Sequence, residues 1–181
     1  MIRTRVGYAG GAVKDPTYHN LGDHSETIQI DYDPAQISYE ELLQVFWDSH
    51  YPASRPWSRQ YASIIFYEDE EQKRLATESW ERETAKHEGA IYTEIVPLTE
   101  FYLAEGYHQK YRLQSVPLLL GEFSAIYPDE TDWLNSTAVT RVNGYVGGNG
   151  TLESLQAEID KLGLSAEAKE FLLERVRASQ P

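Results

Sequence analysis

The sequence predicts a mixed α+β fold that ends in a purely helical part. Three observations carry that expectation. Short stretches of period-two alternation recur before residue 100, as strands require. Between them lie two stretches of helical spacing, each opened by a polar capping residue. After Ser115 the strand pattern disappears, and only helical spacing with caps and stops remains.

The elements follow in order. Ile2–Tyr8 alternates β-type residues with arginines and predicts a first strand. Residues 26–32 read ETIQIDY, which puts Ile28, Ile30 and Tyr32 on one face of a second, half-buried strand. Asp33-Pro34 ends it. Ser38 and Glu41 form a capping box. The helix they open carries Leu42, Leu43, Val45 and Phe46, with Trp47 as a further candidate, in a wide apolar stripe, and stops near His50. Residues 50–60 make a loop with two prolines, two arginines and an exposed tryptophan. Residues 61–67 form the most apolar strand. Residues 69–86 form a charged helix with Leu75, Ala76 and Trp80 inward, and 91–96 an edge strand. Residues 101–112 are aromatic and read as partly helical. Beyond them, 129–142 has the spacing of one amphipathic helix, and 144–150 is a glycine-rich break. Thr151 caps a helix over 152–162, Gly163 stops it, and Ser165 caps a last helix over 166–178.

Composition bounds the function. At 181 residues the chain can bury a real core. Its net charge of −13 repels phosphate backbones, which argues against nucleic acid as a partner. No apolar run approaches the ~20 residues that span a bilayer. The N-terminus lacks the apolar segment of a secretory signal, so a cytoplasmic location is expected. The chain has no cysteine, which removes disulfides, thiolate metal sites and thiol nucleophiles from these residues.

The densest stretch lies between the first two strands. It reads VGYAGG, then PTY, then NLGDHSE. It is too rich in glycine and polar side chains to be core, and Tyr8, Tyr18 and Glu26 anchor it against disorder. His19, His24 and Glu26 have irregular spacing for a metal site, so no metal is assigned. No cofactor is implied.

VGYAGG, PTY, GDHSE, YDP, ISYEELLQVFWDSH, QYASIIFY and FYLAEGYHQKY stand in an order that resembles the A-type peptide methionine sulfoxide reductases. The similarity covers about residues 2–112. It implies a ferredoxin-like two-layer plait, here lacking its first strand and helix, with C-terminal helices added. Residues 1–112 are expected to form the reductase-like domain, N-terminally incomplete, and 113–181 a helical extension. The resemblance implies reduction of methionine sulfoxide, free or in proteins, with a thioredoxin-type reductant. Tyr18 and Tyr61 are similar to the two phenols that donate to the sulfoxide oxygen. Glu26 is similar to the carboxyl that donates in protonated form, and burial at the start of its strand is expected to help.

Three departures accompany the resemblance. The Gly-Cys-Phe-Trp-Gly motif, which carries the nucleophile and the aromatic pair that holds the substrate methyl, is absent and belongs upstream of Met1. Pro56 stands where the family has an aspartate. Gly144-Tyr145-Val146-Gly147 has valine where a recycling cysteine often sits. The chain is therefore expected to be inactive alone, either as a fragment or as a pseudoenzyme that binds oxidised methionine or a partner peptide. A metal-dependent hydrolase using His19, His24 and Glu26 is a weaker reading. The first strand, Ile2–Tyr8, is expected to pair on one side only. That leaves a groove with Tyr18, Glu26 and Tyr61 beside it.

Overall fold

A computed structural model describes residues 1–179. It divides into two compact units, one of Val6–Glu105 and one of Met1–Arg5 with the chain from Gly106 onward.

Strands β1 (Arg3–Ala9, in the Val6–Glu105 unit from Val6 onward), β2 (Ser25–Asp31) and β5 (Phe101–Leu103) form one sheet in the order β2-β1-β5. β1 and β5 are antiparallel, with Gly7 opposite Leu103 and Ala9 opposite Phe101. Gly7 is required by this pairing, because a Cβ there would sit 2.2 Å from the Tyr102 carbonyl oxygen. Strands β3 (Ile64–Tyr67) and β4 (Glu94–Pro97) form a separate, parallel pair.

Helix α1 (Tyr39–Asp48) starts where its capping box predicts. The Glu41 amide donates to Ser38 Oγ at 3.1 Å, and the Ser38 amide to Glu41 Oε2 at 2.7 Å. It buries Leu43 and Trp47, while Val45, counted in the apolar stripe, points to solvent. Helix α2 (Glu70–Thr84) is capped by Asp69. Leu43, Trp47, Ile65, Ala76 and Ile91 make the core between these helices and β3. There the Trp47 indole N–H donates to Ser79 Oγ at 3.1 Å. The sequence-predicted α+β class is thus present, as two small sheets with helices.

One expectation about the sheet is overturned. β1 has neighbours on both sides, β2 and β5. The second neighbour is Phe101–Leu103, a segment whose aromatic run reads as partly helical. The edge strands are instead β2 and β5 of that sheet and both strands of the β3-β4 pair, and a cleft of about 400 Å³ is lined by β2, β3 and α1. Tyr39 Oη, on that lining, is buried without a hydrogen-bond partner.

The other unit is helical: α3 (Tyr111–Gln114), α4 (Pro117–Ile126), α5 (Glu130–Asn135), α6 (Thr137–Val146), α7 (Leu152–Glu158) and α8 (Ala166–Ser179). The single helix expected over 129–142 is two. Ser136 is extended, at φ −66° and ψ 130°, and its hydroxyl accepts from the Val139 amide as the cap of α6. α7 likewise stops at Glu158 and passes into a 3-10 turn, Ile159–Lys161. Among the described residues no helix is long and apolar enough to cross a membrane.

Candidate active site

The site is built from the loop between β1 and β2 and the turn before β3. Gly10 leaves β1 at φ +82°, a conformation that side chains with a Cβ rarely adopt. The loop then folds onto Asp23 and His24. The Asp23 carboxylate accepts from the Ala12 amide at 2.9 and 3.0 Å and from the Val13 amide at 3.3 Å. These backbone donors hold the Asp23 carboxyl below its ordinary range, with burial opposing them weakly. His24 is buried and bonds at both ring nitrogens. Nδ1 accepts from the Gly11 amide at 3.1 Å, and Nε2 lies 2.7 Å from the Val13 carbonyl. The His24 ring is thus spent on holding the loop, which takes from the metal-hydrolase reading the histidine it needs.

Glu105 fixes the middle of the loop. One carboxylate oxygen accepts from the Tyr8 phenol at 2.7 Å, and the other from the Tyr18 backbone amide at 3.0 Å. Thr17 and Asn20 exchange backbone hydrogen bonds of 3.3 and 3.0 Å around Tyr18. The tight turn this makes presents the Tyr18 side chain at the surface, 38% exposed.

Tyr61 ends a 3-10 turn, Arg59–Tyr61, rather than opening the strand. That turn is tied to β2: Ser25, 1% exposed, donates its hydroxyl to the Arg59 carbonyl at 2.6 Å. It is tied to β4 by the Arg59–Glu94 ion pair at 2.6 Å. The next side chain, Gln60, bridges the predicted residues. Its Nε2 donates to Glu26 Oε1 at 2.7 Å and to the Tyr61 phenol at 3.3 Å. A side-chain hydrogen bond joins Tyr18 and Tyr61. Burial first, and then the Glu26 carboxylate and Tyr18, push the Tyr61 phenol up, which favours its proton-donating form.

The structure therefore brings Tyr18, Glu26 and Tyr61 together around Gln60. It differs from the expectation in one respect: Glu26 is exposed. The reason is the turn of the strand at its start, where His24 and Ser25 take the inward positions and Glu26 takes the outward one. Sequence reasoning missed Gln60, Ser25, Asp23 and Glu105 as positioning groups. Gln60 and Ser25 stood inside quoted motifs, QYASIIFY and GDHSE, but their partners lie 34 residues away in each case.

The family model described as peptide methionine sulfoxide reductase matches residues 1–121. The chain belongs to that family. A second model, described as the helical domain of selenoprotein methionine sulfoxide reductase A, matches residues 129–176. A Drosophila melanogaster protein named peptide methionine sulfoxide reductase is 42% identical over 182 residues, covering 99% of this chain and 73% of that protein. Peptide methionine sulfoxide reductase A5 of Oryza sativa subsp. japonica is 40% identical over 171 residues, covering 90% and 66%. The Arabidopsis thaliana protein of the same name is covered over 59% of its length, so the chain spans roughly two-thirds of such relatives. Among solved structures, methionine sulfoxide reductase A of Corynebacterium diphtheriae superposes with a TM-score of 0.54 at 32% identity, over 64% of each chain.

Proposed function

We propose that this chain carries the sulfoxide-binding half of a methionine sulfoxide reductase site. The observation that carries the reading is Gln60 joining Glu26 and Tyr61, with Tyr18 on the same phenol. A sulfoxide is a strong acceptor at oxygen and apolar around sulfur. Converging phenols suit that oxygen, and they matter more as it gathers negative charge. In this reading Tyr18 and Tyr61 donate to the oxygen, and Glu26 holds the Gln60 amide that bridges it to Tyr61.

Reduction needs a thiol. A thiolate attacks the sulfoxide sulfur, the oxygen passes to the thiol sulfur, and the products are methionine and a sulfenic acid. Two further thiols, as in a thioredoxin-type reductant, return the sulfenic acid to the thiol and release water. None of these thiols lies within the 181 residues, so the nucleophile comes from elsewhere. The cleft lined by β2, β3 and α1 includes Glu26, so a segment of chain seated there would bring the nucleophile beside the donors. Residues 1–112 form the reductase-like part, and 113–181 the helical extension. The main core cluster, which starts at Leu113, supports that division. Protein repair under oxidative stress, in a thiol-rich cytoplasm, is the setting that suits this chemistry.

The test has two arms. With methionine sulfoxide and dithiothreitol, the chain is expected to show no turnover above the thiol-only control; turnover overturns the claim that it is inactive alone. By calorimetry it should bind methionine sulfoxide in preference to methionine; equal binding overturns the donor assignment. A second reading, a non-catalytic module for oxidised methionine or a partner peptide, is favoured by the same cleft with its orphaned Tyr39 hydroxyl. Micromolar binding of a methionine sulfoxide peptide by the chain alone would select it.

A further inference from the structure

Residues 50–58 have no role in the reading above, yet they present the most exposed large apolar side chain among the described residues. Trp57 is 82% exposed. Its indole is stacked on the Tyr61 ring, with centroids 5.0 Å apart and planes at 29°. The loop that holds it is pinned on both sides. The Pro52 carbonyl accepts from the Tyr92 amide at 2.9 Å, and the Tyr61 amide donates to the Ser58 carbonyl at 3.3 Å. Arg59 is held by Glu94 and, through its carbonyl, by Ser25. Pro56, immediately before Trp57, fixes its own φ and restricts the residue before it.

An indole set out in water on a pinned loop loses little further entropy when something packs on it. Tryptophan is also among the side chains most enriched at binding hot spots. The occupant is limited by continuity, since Trp57 touches the phenol proposed to hold the sulfoxide oxygen. A free methionine sulfoxide has no neighbouring side chain to set against that indole. A methionine sulfoxide within a chain offers the side chain of its neighbour.

We infer that Trp57 is the contact for the residue next to an oxidised methionine in a peptide, and that an apolar neighbour is preferred there. The inference rests on the sulfoxide reading above and adds a substrate class to it. Protein-bound sulfoxide flanked by apolar residues is the ligand this site takes best.

The experiment is a calorimetric titration of the unaltered chain, Trp57→Ala and Trp57→Phe with three probes. These are acetyl-Leu-Met(sulfoxide)-Leu amide, its glycine-flanked counterpart, and the leucine-flanked peptide with unoxidised methionine. The unaltered chain should bind the leucine-flanked sulfoxide at least threefold more tightly than the glycine-flanked one. Trp57→Ala should erase that preference while leaving the glycine-flanked peptide within a factor of two. Trp57→Phe should keep most of it. An unchanged preference in Trp57→Ala, an equal loss for both sulfoxides, or no binding of either by the unaltered chain overturns the inference. So does a change from dimer to monomer on Trp57→Ala in sedimentation, since the indole would then be a self-contact. Failure of the sulfoxide reading looks different: oxidised and unoxidised leucine-flanked peptides bind alike, whatever stands at position 57.

Discussion

The helical unit and the unit that carries the donors differ in what holds them. The helical one has, among the described residues, a cluster of fifteen buried apolar residues drawn from α3, α4, α6, α7, α8 and the segments joining them, with Leu113, Leu119, Phe123, Leu155 and Leu172 fully buried. The Val6–Glu105 unit has two clusters, of five and three. Its loop is held by side chains that satisfy backbone groups: Asp23, His24, Ser25 and Glu105. Apolar burial stabilises without direction, whereas hydrogen bonds place atoms but add only about 1 kcal/mol each. The comparison teaches that stability and positioning are supplied by different residues here, and each can be removed separately.

The largest effect expected is in the helical core. Phe123→Ala should destabilise by about 3–5 kcal/mol, since a fully buried aromatic leaves a cavity in a close-packed cluster. Urea unfolding followed by far-UV circular dichroism would show it. A loss below ~1 kcal/mol would mean that this cluster is not the reservoir of stability that its size suggests.

A second effect sharpens the comparison, because it concerns a lysine that is buried in the helical unit. Lys110 is 4% exposed and sits at φ 48°, a left-handed backbone unusual for a residue with a side chain. Its ammonium donates to the Thr4 carbonyl and hydroxyl and to Thr140 Oγ1, the last at 2.8 Å. Burial, with Arg5 nearby, brings its pKa down to about 8. The sign follows from linkage. Between about 8 and the ordinary lysine value the unfolded chain holds the proton and the folded chain does not, so stability rises with pH across that window. The gain expected is about 2 kcal/mol after allowance for partial screening. Lys110→Met should remove this slope while leaving the titration of the other groups in place. A slope of the same size in the variant would show that Lys110 is not its source.

Legibility in the sequence followed the range of the interaction. The Ser38–Glu41 capping box was legible because both partners lie within one turn. So was the place of α2 behind Asp69. β5 was not legible. Three residues cannot show a period, and Phe101–Leu103 is a strand only because Gly7–Ala9 lies opposite. The break at Ser136 was hidden inside acceptable helical spacing. At the site, Tyr18, Glu26 and Tyr61 were legible as a set through the order of their motifs. The Gln60 bridge, the Ser25 tie and the exposure of Glu26 were not, because each depends on a pairing made by the fold.

A smaller stability effect with a larger effect on the site is expected at Ser25. Removing its hydroxyl leaves the Arg59 carbonyl without that donor, at a cost of about 1–2 kcal/mol. The turn that carries Gln60 and Tyr61 would then be free to move away from Glu26. Ser25→Ala should therefore weaken the preference for methionine sulfoxide over methionine severalfold, while Phe123→Ala, in buffer where it remains folded, should not. Equal effects of the two substitutions on that preference would break the separation between stability and positioning.

The smallest effect lies in the loop itself and shows only in acid. Asp23 is held below its ordinary carboxyl value by the Ala12 and Val13 amides. A carboxylate whose folded pKa is depressed contributes stability that is complete above its unfolded value, near pH 4, and is lost as pH falls below it. The Ala12 and Val13 amide resonances should thus follow the Asp23 titration, with a midpoint below that of an ordinary aspartate. Asp23→Asn keeps an acceptor oxygen but no charge, so it should leave the fold in place and flatten that pH dependence. His24 makes separate bonds to Gly11 and Val13, and it should keep the loop from opening fully when Asp23 is protonated. Complete loss of the amide dispersion of residues 10–13 at that same midpoint would show instead that Asp23 alone holds the loop. The shared positioning described for this unit would then reduce to one carboxylate.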